Sequence, residues 1–179
     1  MKVRHHQKGF TLIELLIVVA IIGIIASIAA PGLMRARMSG NETSAIGSMR
    51  AVNSGQSMYS TSCGGGGFAQ TLSDLAKAPS GSTAAFVSPD LPSNGVIKSG
   101  YTVMVGPGTV TAVLTNSANT CNASGANAIA SYFAAATPVT VGSTGQRSFG
   151  TDERGTIFQN AAGTAFDAAT VSTATTPAQ

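Results

Sequence analysis

Four groups of residues in this 179-residue chain have the type or spacing to do chemistry. Glu14 is the one charged residue in the run from Phe10 to Met34. A carboxylate at the centre of a bilayer costs roughly 2.5–3.5 kcal/mol on the insertion scale, so an acid inside an apolar span points to a function and to a cationic partner at similar depth. No Lys or Arg follows until Arg35, but a free α-amino group at Phe10, made by a cut after Gly9, would be such a cation. The other reading is a Glu14 that sits at headgroup depth and simply stays hydrated. The only cysteines are Cys63 and Cys121, and the only histidines are His5 and His6. Asp152 and Glu153 are the one adjoining pair of acids.

The element that must position Glu14 is a helix. Leu15 to Met34 is 20 residues without a charge. At ~1.5 Å per residue such a helix is about 30 Å long, enough to cross a hydrocarbon core. Lys2, Arg4 and Lys8 precede it, which leaves the N-terminus cytoplasmic and the remaining chain outside. Two other readings exist for this segment. It could be an ordinary secretory signal, with Ser27-Ile28-Ala29 as the small-x-small cleavage site, or a plain single-pass anchor. The apolar stretch exceeds the usual 7–15 residues of a signal core, and Glu14 stands where such a core is apolar.

The run Lys8-Gly9-Phe10-Thr11-Leu12-Ile13-Glu14-Leu15 resembles the N-terminal signal of type IV pilins and the pseudopilins of type II secretion. The resemblance implies a prepilin peptidase that cuts between Gly9 and Phe10 and N-methylates Phe10. It implies that Glu14 neutralises the amine of a neighbouring subunit, and that Pro31-Gly32 is the helix-loosening pair near that depth. Pro removes a helix hydrogen bond there. Implied partners are other copies of the chain in a helical homopolymer, the peptidase, a pilus or secretion assembly machinery, and the membrane before assembly. The implied location is the inner membrane first, then a surface filament, or the periplasm for a pseudopilin. The short leader and Phe10 resemble the type IVa group, but no C-terminal pair of cysteines forms that group's disulfide loop.

The rest of the chain fits a head. Met38, Ala45, Met49, Val52, Gln56 and Tyr59, with Ile46 and Asn53, form a helical stripe. The spacing predicts one helix from about Phe10 to Ser62, softened at Gly40, Gly47 and Gly55 and stopped by Cys63-Gly64-Gly65-Gly66-Gly67. Its length of ~75 Å exceeds what one small domain covers, so the apolar half must pack in lipid and later on other copies. Thr71 to Lys77 reads as a short helix in a proline-broken connector. Tyr101–Val105 and Thr109–Leu114 alternate around Gly106-Pro107-Gly108 and predict a hairpin, and Ala126–Ala136 a further strand. Arg147–Phe149 and Thr156–Phe158 predict a last hairpin with Gly155 at positive φ. The expected fold class is α+β, a long N-terminal helix on a three- to four-stranded antiparallel sheet. The expected segments are a leader over 1–9, a membrane or filament-core half-helix over 10–34, an amphipathic half over 35–62, a connector over 63–99, a sheet over 100–158 and a loose Ala/Thr-rich tail over 159–179.

Composition and absent residues exclude several functions. Charged residues are only 9% against a usual ~25%. Of ten basic residues three lie in the leader, leaving seven against seven acids, and such a neutral head lacks the clustered cations that nucleic-acid binding needs. Both histidines fall in the leader, so the processed chain has no Ser–His or Cys–His pair and no His-ligated metal site. Asp152-Glu153 reads as a turn rather than a calcium site. The glycine run at 64–67 lacks the Lys-Ser/Thr ending of a P-loop. No catalytic residues, metal or cofactor are expected, and the chain reads as no enzyme. Asn41-Glu42-Thr43 and Asn122-Ala123-Ser124 match the glycosylation sequon, a pattern frequent by chance. Cys63 and Cys121 are expected to pair in an exported chain, worth ~3–4 kcal/mol on the chain-entropy model. The alternative is two buried free thiols.

Overall fold

The computed structural model describes residues 9–178. The basic leader residues and both histidines lie outside the described residues. The chain divides into two compact units between Ala36 and Arg37.

Helix α1 runs from Leu12 to Ser62. Its first part carries only exposed side chains, from Leu12 to Met34. The helix continues through Pro31-Gly32 in the single chain. Pro31 lacks the N–H that would reach the Ser27 carbonyl, and the turn is kept by its neighbours. Gly64 and Cys63 both donate their N–H to the Tyr59 carbonyl, and Gly66 to Ser60, which closes the helix end.

In the second unit α1 buries Glu42, Ala45, Ser48, Met49, Val52, Gly55, Gln56 and Tyr59, one face at helical spacing. The connector holds α2 (Leu72–Leu75), capped by the Thr71 hydroxyl. The strands are β1 (Val96–Lys98), β2 (Tyr101–Pro107), β3 (Val113–Thr115), β4 (Ala128–Ile129), β5 (Tyr132–Pro138), β6 (Ser148–Asp152) and β7 (Ile157–Asn160), and α3 (Ala168–Ser172) follows. Five strands form one antiparallel sheet in the order β1-β2-β5-β6-β7, and β3 pairs with β4 in a separate ribbon. The fold is α+β, with a sheet one or two strands wider than the pattern predicts.

The predicted hairpin at Gly106-Pro107-Gly108 does not form. Gly106 and Pro107 continue β2 and pair with Phe133 and Tyr132 of β5. Gly106 lacks a side chain because the Phe133 ring lies over it; a Cβ there would stand 2.5 Å from Phe133 Cε1. The predicted strand over Ala126–Ala136 is split. β4 serves the small ribbon, and β5 becomes the centre of the main sheet. The last hairpin forms as the pattern predicts, with Gly155 at φ 73°.

Strand β5 is buried on both faces, which explains its alanines. Tyr132, Ala134 and Ala136 belong to the core that includes Met49, Val52 and Tyr59 of α1. Phe133 and Ala135 face a second core with Phe158, Phe166 and Val171. The Ala/Thr-rich tail is therefore not loose, contrary to expectation. Phe166 packs over Gly150, where a Cβ would meet its ring at 2.6 Å. Asp167 caps α3 in a reciprocal box with Thr170. Thr176 and Ala178 hydrogen-bond to Gln159 and Ile157, so the tail covers the free edge of β7. Few large apolar residues suffice because the sheet beneath them is made of Ala and Gly.

Candidate functional site: the N-terminal helix start and its anchored head

Gly9 and Phe10 precede the helix and are exposed, Phe10 at 88%. Thr11 is the residue before the first helical turn and Glu14 is its third helical position. The Thr11 N–H donates to the Glu14 carboxylate at 2.9 Å, its hydroxyl donates to the same oxygen at 2.7 Å, and the Glu14 N–H reaches the Thr11 hydroxyl at 3.3 Å. This is a reciprocal capping box, placed where the helix dipole favours an anion. The carboxylate is thus held in the first turn of the helix by the residue that follows Phe10. The Thr11 role went unread in the sequence, although Thr-x-x-Glu is its signature. An 18-residue stretch of α1 reaches a mean hydropathy of 2.9 with none of it buried within the chain. Pro31 and Gly32 lie exposed on the same helix, and a Cβ at Gly32 would meet nothing within 4 Å.

The second unit is held by polar contacts around α1. Cys63 and Cys121 form a disulfide across a separation of 58 residues, with Cα atoms 4.8 Å apart. Beside it the buried Tyr59 hydroxyl meets Ser124 at 2.7 Å, and Ser124 donates to Asn122. Asn122 donates to the carbonyls of Asp74 and Lys77. It is 2% exposed, and Asn41 donates to the Thr144 carbonyl from within α1, so neither sequon presents a free loop asparagine. Glu42, 8% exposed, accepts from the Arg147 guanidinium at 3.0 and 2.7 Å and from the N–H groups of Gln146 and Arg147. Burial pushes its carboxyl up, but the Arg147 hydrogen bond and those N–H groups outweigh it and hold the group below the usual carboxylate range. Tyr101, whose hydroxyl donates to the Arg147 carbonyl, is pushed up to about 12 by burial and by the Glu42 charge.

Asp152 is 3% exposed and accepts from Arg154, whose guanidinium also donates to the Val171 carbonyl and lies 4.6 Å from the Phe158 ring centroid. This carboxylate clamps the tail rather than facing a metal. Among the described residues no three His, Cys, Asp or Glu side chains gather as a metal site.

Comparison with known proteins bears on the first of these sites. Residues 4–30 match the family model of the prokaryotic N-terminal methylation motif. The type IV wide pilus major component of Thermus thermophilus is 46% identical over 54 residues, 30% of this chain and 41% of that protein. The type II secretion system core protein G of Escherichia coli is 34% identical over 59 residues, 33% of this chain and 41% of that protein. The type IV major pilin of Myxococcus xanthus is 42% identical over 53 residues, 30% of this chain and 24% of that protein. The chain thus spans about two fifths or less of these curated relatives. No solved structure matches. The chain carries a prepilin-type methylation motif and is similar to type IV pilins and to type II secretion pseudopilins.

Proposed function

We propose that this chain is a structural subunit of a type IV pilus-like filament, cut by a prepilin peptidase and polymerised from the inner membrane. The observation that carries the reading is Glu14: one carboxylate, held at the start of an unburied apolar helix, inside a methylation motif. Hydrolysis of the Gly9–Phe10 peptide bond frees the Phe10 α-amino group, and methyl transfer leaves it a cation. That cation on one subunit is the partner for Glu14 of the next. Leaving lipid for a protein core exchanges one apolar surrounding for another, so no large hydrophobic gain selects the register. The ion pair supplies the selection. Pro31 and Gly32 allow the helix to adjust within the filament. Assembly needs a pilus or secretion machinery to extract each subunit, and the filament ends on the cell surface.

A second reading is a pseudopilin, which would remain periplasmic. It is favoured by the similarity to the core protein G of type II secretion systems. Abundant sheared fibres favour the pilus; loss of secretion without fibres favours the pseudopilin.

Intact-mass measurement of the protein from cells tests the shared step. A chain beginning at Phe10 with one added methyl group is expected, and a chain beginning near Ala30 would overturn it. Glu14→Ala is expected to insert into the membrane at the normal level and to yield no filaments. Normal filaments from that variant would remove Glu14 from the mechanism.

A further inference from the structure

The second unit of the chain holds nine of its twelve charged side chains in internal ion pairs or hydrogen bonds. Glu42 pairs with Arg147, Asp152 with Arg154, and Asp90 with Lys98. Asp74 is 4% exposed and takes the Thr71 hydroxyl and the Gly125 N–H, while Asp167 caps α3 and Lys77 donates to the Ala123 carbonyl. Among the described residues from Arg37 onward, this leaves one acid, Glu153, and two bases, Arg37 and Arg50, all exposed and without an ion pair. In a chain with only 9% charged residues, unpaired charges of opposite sign are few enough to be matched by name.

Glu153 stands at a groove with a volume of about 290 Å³. One wall is the α1 stripe Asn53, Ser57 and Thr61; Phe68 and Tyr132 also line it, with ring centroids 5.0 Å apart. A carboxylate beside aromatic rings and hydroxyls suits a guanidinium, which pairs with the acid in plane and stacks on a ring. The groove has no such occupant from its own chain. Arg50 precedes Asn53 and Ser57 by three and seven residues, so it flanks the same α1 stripe, yet it makes no ion pair with Glu153. Neither Arg37 nor Arg50 has an acid three or four residues away on the helix; Arg50 already flanks the groove of its own chain, and Arg37 is the base remote from it.

We propose that the Glu153 groove receives Arg37 of a second copy of this chain, an inter-subunit ion pair separate from the Glu14–amine contact. It rests on the filament reading above. Arg37 and Ser57 are twenty residues apart on α1, so with the two helices parallel the pair sets the copies at an axial offset of about 30 Å. The Glu14 contact acts in the apolar core of the filament, whereas this one acts between heads and is open to salt.

The full chain, expressed in its own cells, carries the test. Glu153→Arg and Arg37→Glu are each expected to lower the mass of sheared fibres several-fold, with membrane levels of the subunit and its disulfide unchanged. Glu153→Arg combined with Arg37→Glu is expected to restore the fibres. A combined variant no better than the single ones overturns the pair. So does rescue of Glu153→Arg by Arg35→Glu in place of Arg37→Glu, since residues two apart face opposite sides of a helix. Single variants with fibres equal to wild type overturn the inference and leave the filament standing. Absence of fibres from the wild-type chain overturns the filament reading itself.

Discussion

Glu14 and Glu42 are two carboxylates of one helix with opposite assignments. Glu14 is exposed and tied only to its own cap, so it is free to change partners. Glu42 is enclosed and receives four hydrogen bonds from the Gln146–Arg147 segment. The second sets a pH limit on the head. Its folded pKa lies below the unfolded value, so its stabilisation is complete above about pH 4.3 and is lost as pH falls through the folded value. Glu42→Gln is expected to cost about 1–2 kcal/mol at neutral pH, since it weakens hydrogen bonds to a half-exposed Arg147. Melting curves of both proteins over a pH series should converge on acidification below about pH 4. A gap that stays constant into strong acid would remove Glu42 as the titrating group. Glu14 was legible in the sequence because a charge in an apolar run has no neighbour to hide it. Glu42 was not, because its partner lies 105 residues away and one acid in an amphipathic helix is unremarkable.

At the level of elements, glycines mark where the chain must pass close to itself. Gly106→Val is expected to destabilise the head by about 1–3 kcal/mol, because its Cβ displaces the Phe133 ring between β2 and β5. Gly47→Ala, on the open face of α1 with nothing within 4 Å, is expected to stabilise by about 0.5–1 kcal/mol. Chemical denaturation of the two variants separates these effects, and equal shifts would refute the packing argument. The long helix, the short helix α2 and the last hairpin could be read from period and punctuation. Gly106-Pro107-Gly108 misled because a turn signal and a close-approach signal use the same residue. The tail misled for a related reason. Its two anchors, Phe166 and Val171, look sparse in sequence, and only the Ala and Gly surface of β5 and β6 makes them enough.

For the whole molecule, the disulfide joins the end of α1 to the segment after β3. Cys63→Ser with Cys121→Ser is expected to lose about 2–5 kcal/mol and to lower the urea midpoint accordingly. An unchanged midpoint would mean that the Tyr59–Ser124–Asn122 contacts alone hold that corner. The cysteine pair could be anticipated by count and compartment, but its place beside this buried polar cluster could not, since the cluster joins residues from three separate segments.

The covered edge of β7 has a consequence for the proposed polymer. A filament holds its subunits at local concentrations far above those of free proteins, where any bare strand would find another. Here one border of the sheet is occupied by residues 176–178 of the same chain, and the other is a strand of three residues carrying Lys98. In the proposed filament, neighbouring heads could therefore be crowded together without knitting into a shared sheet.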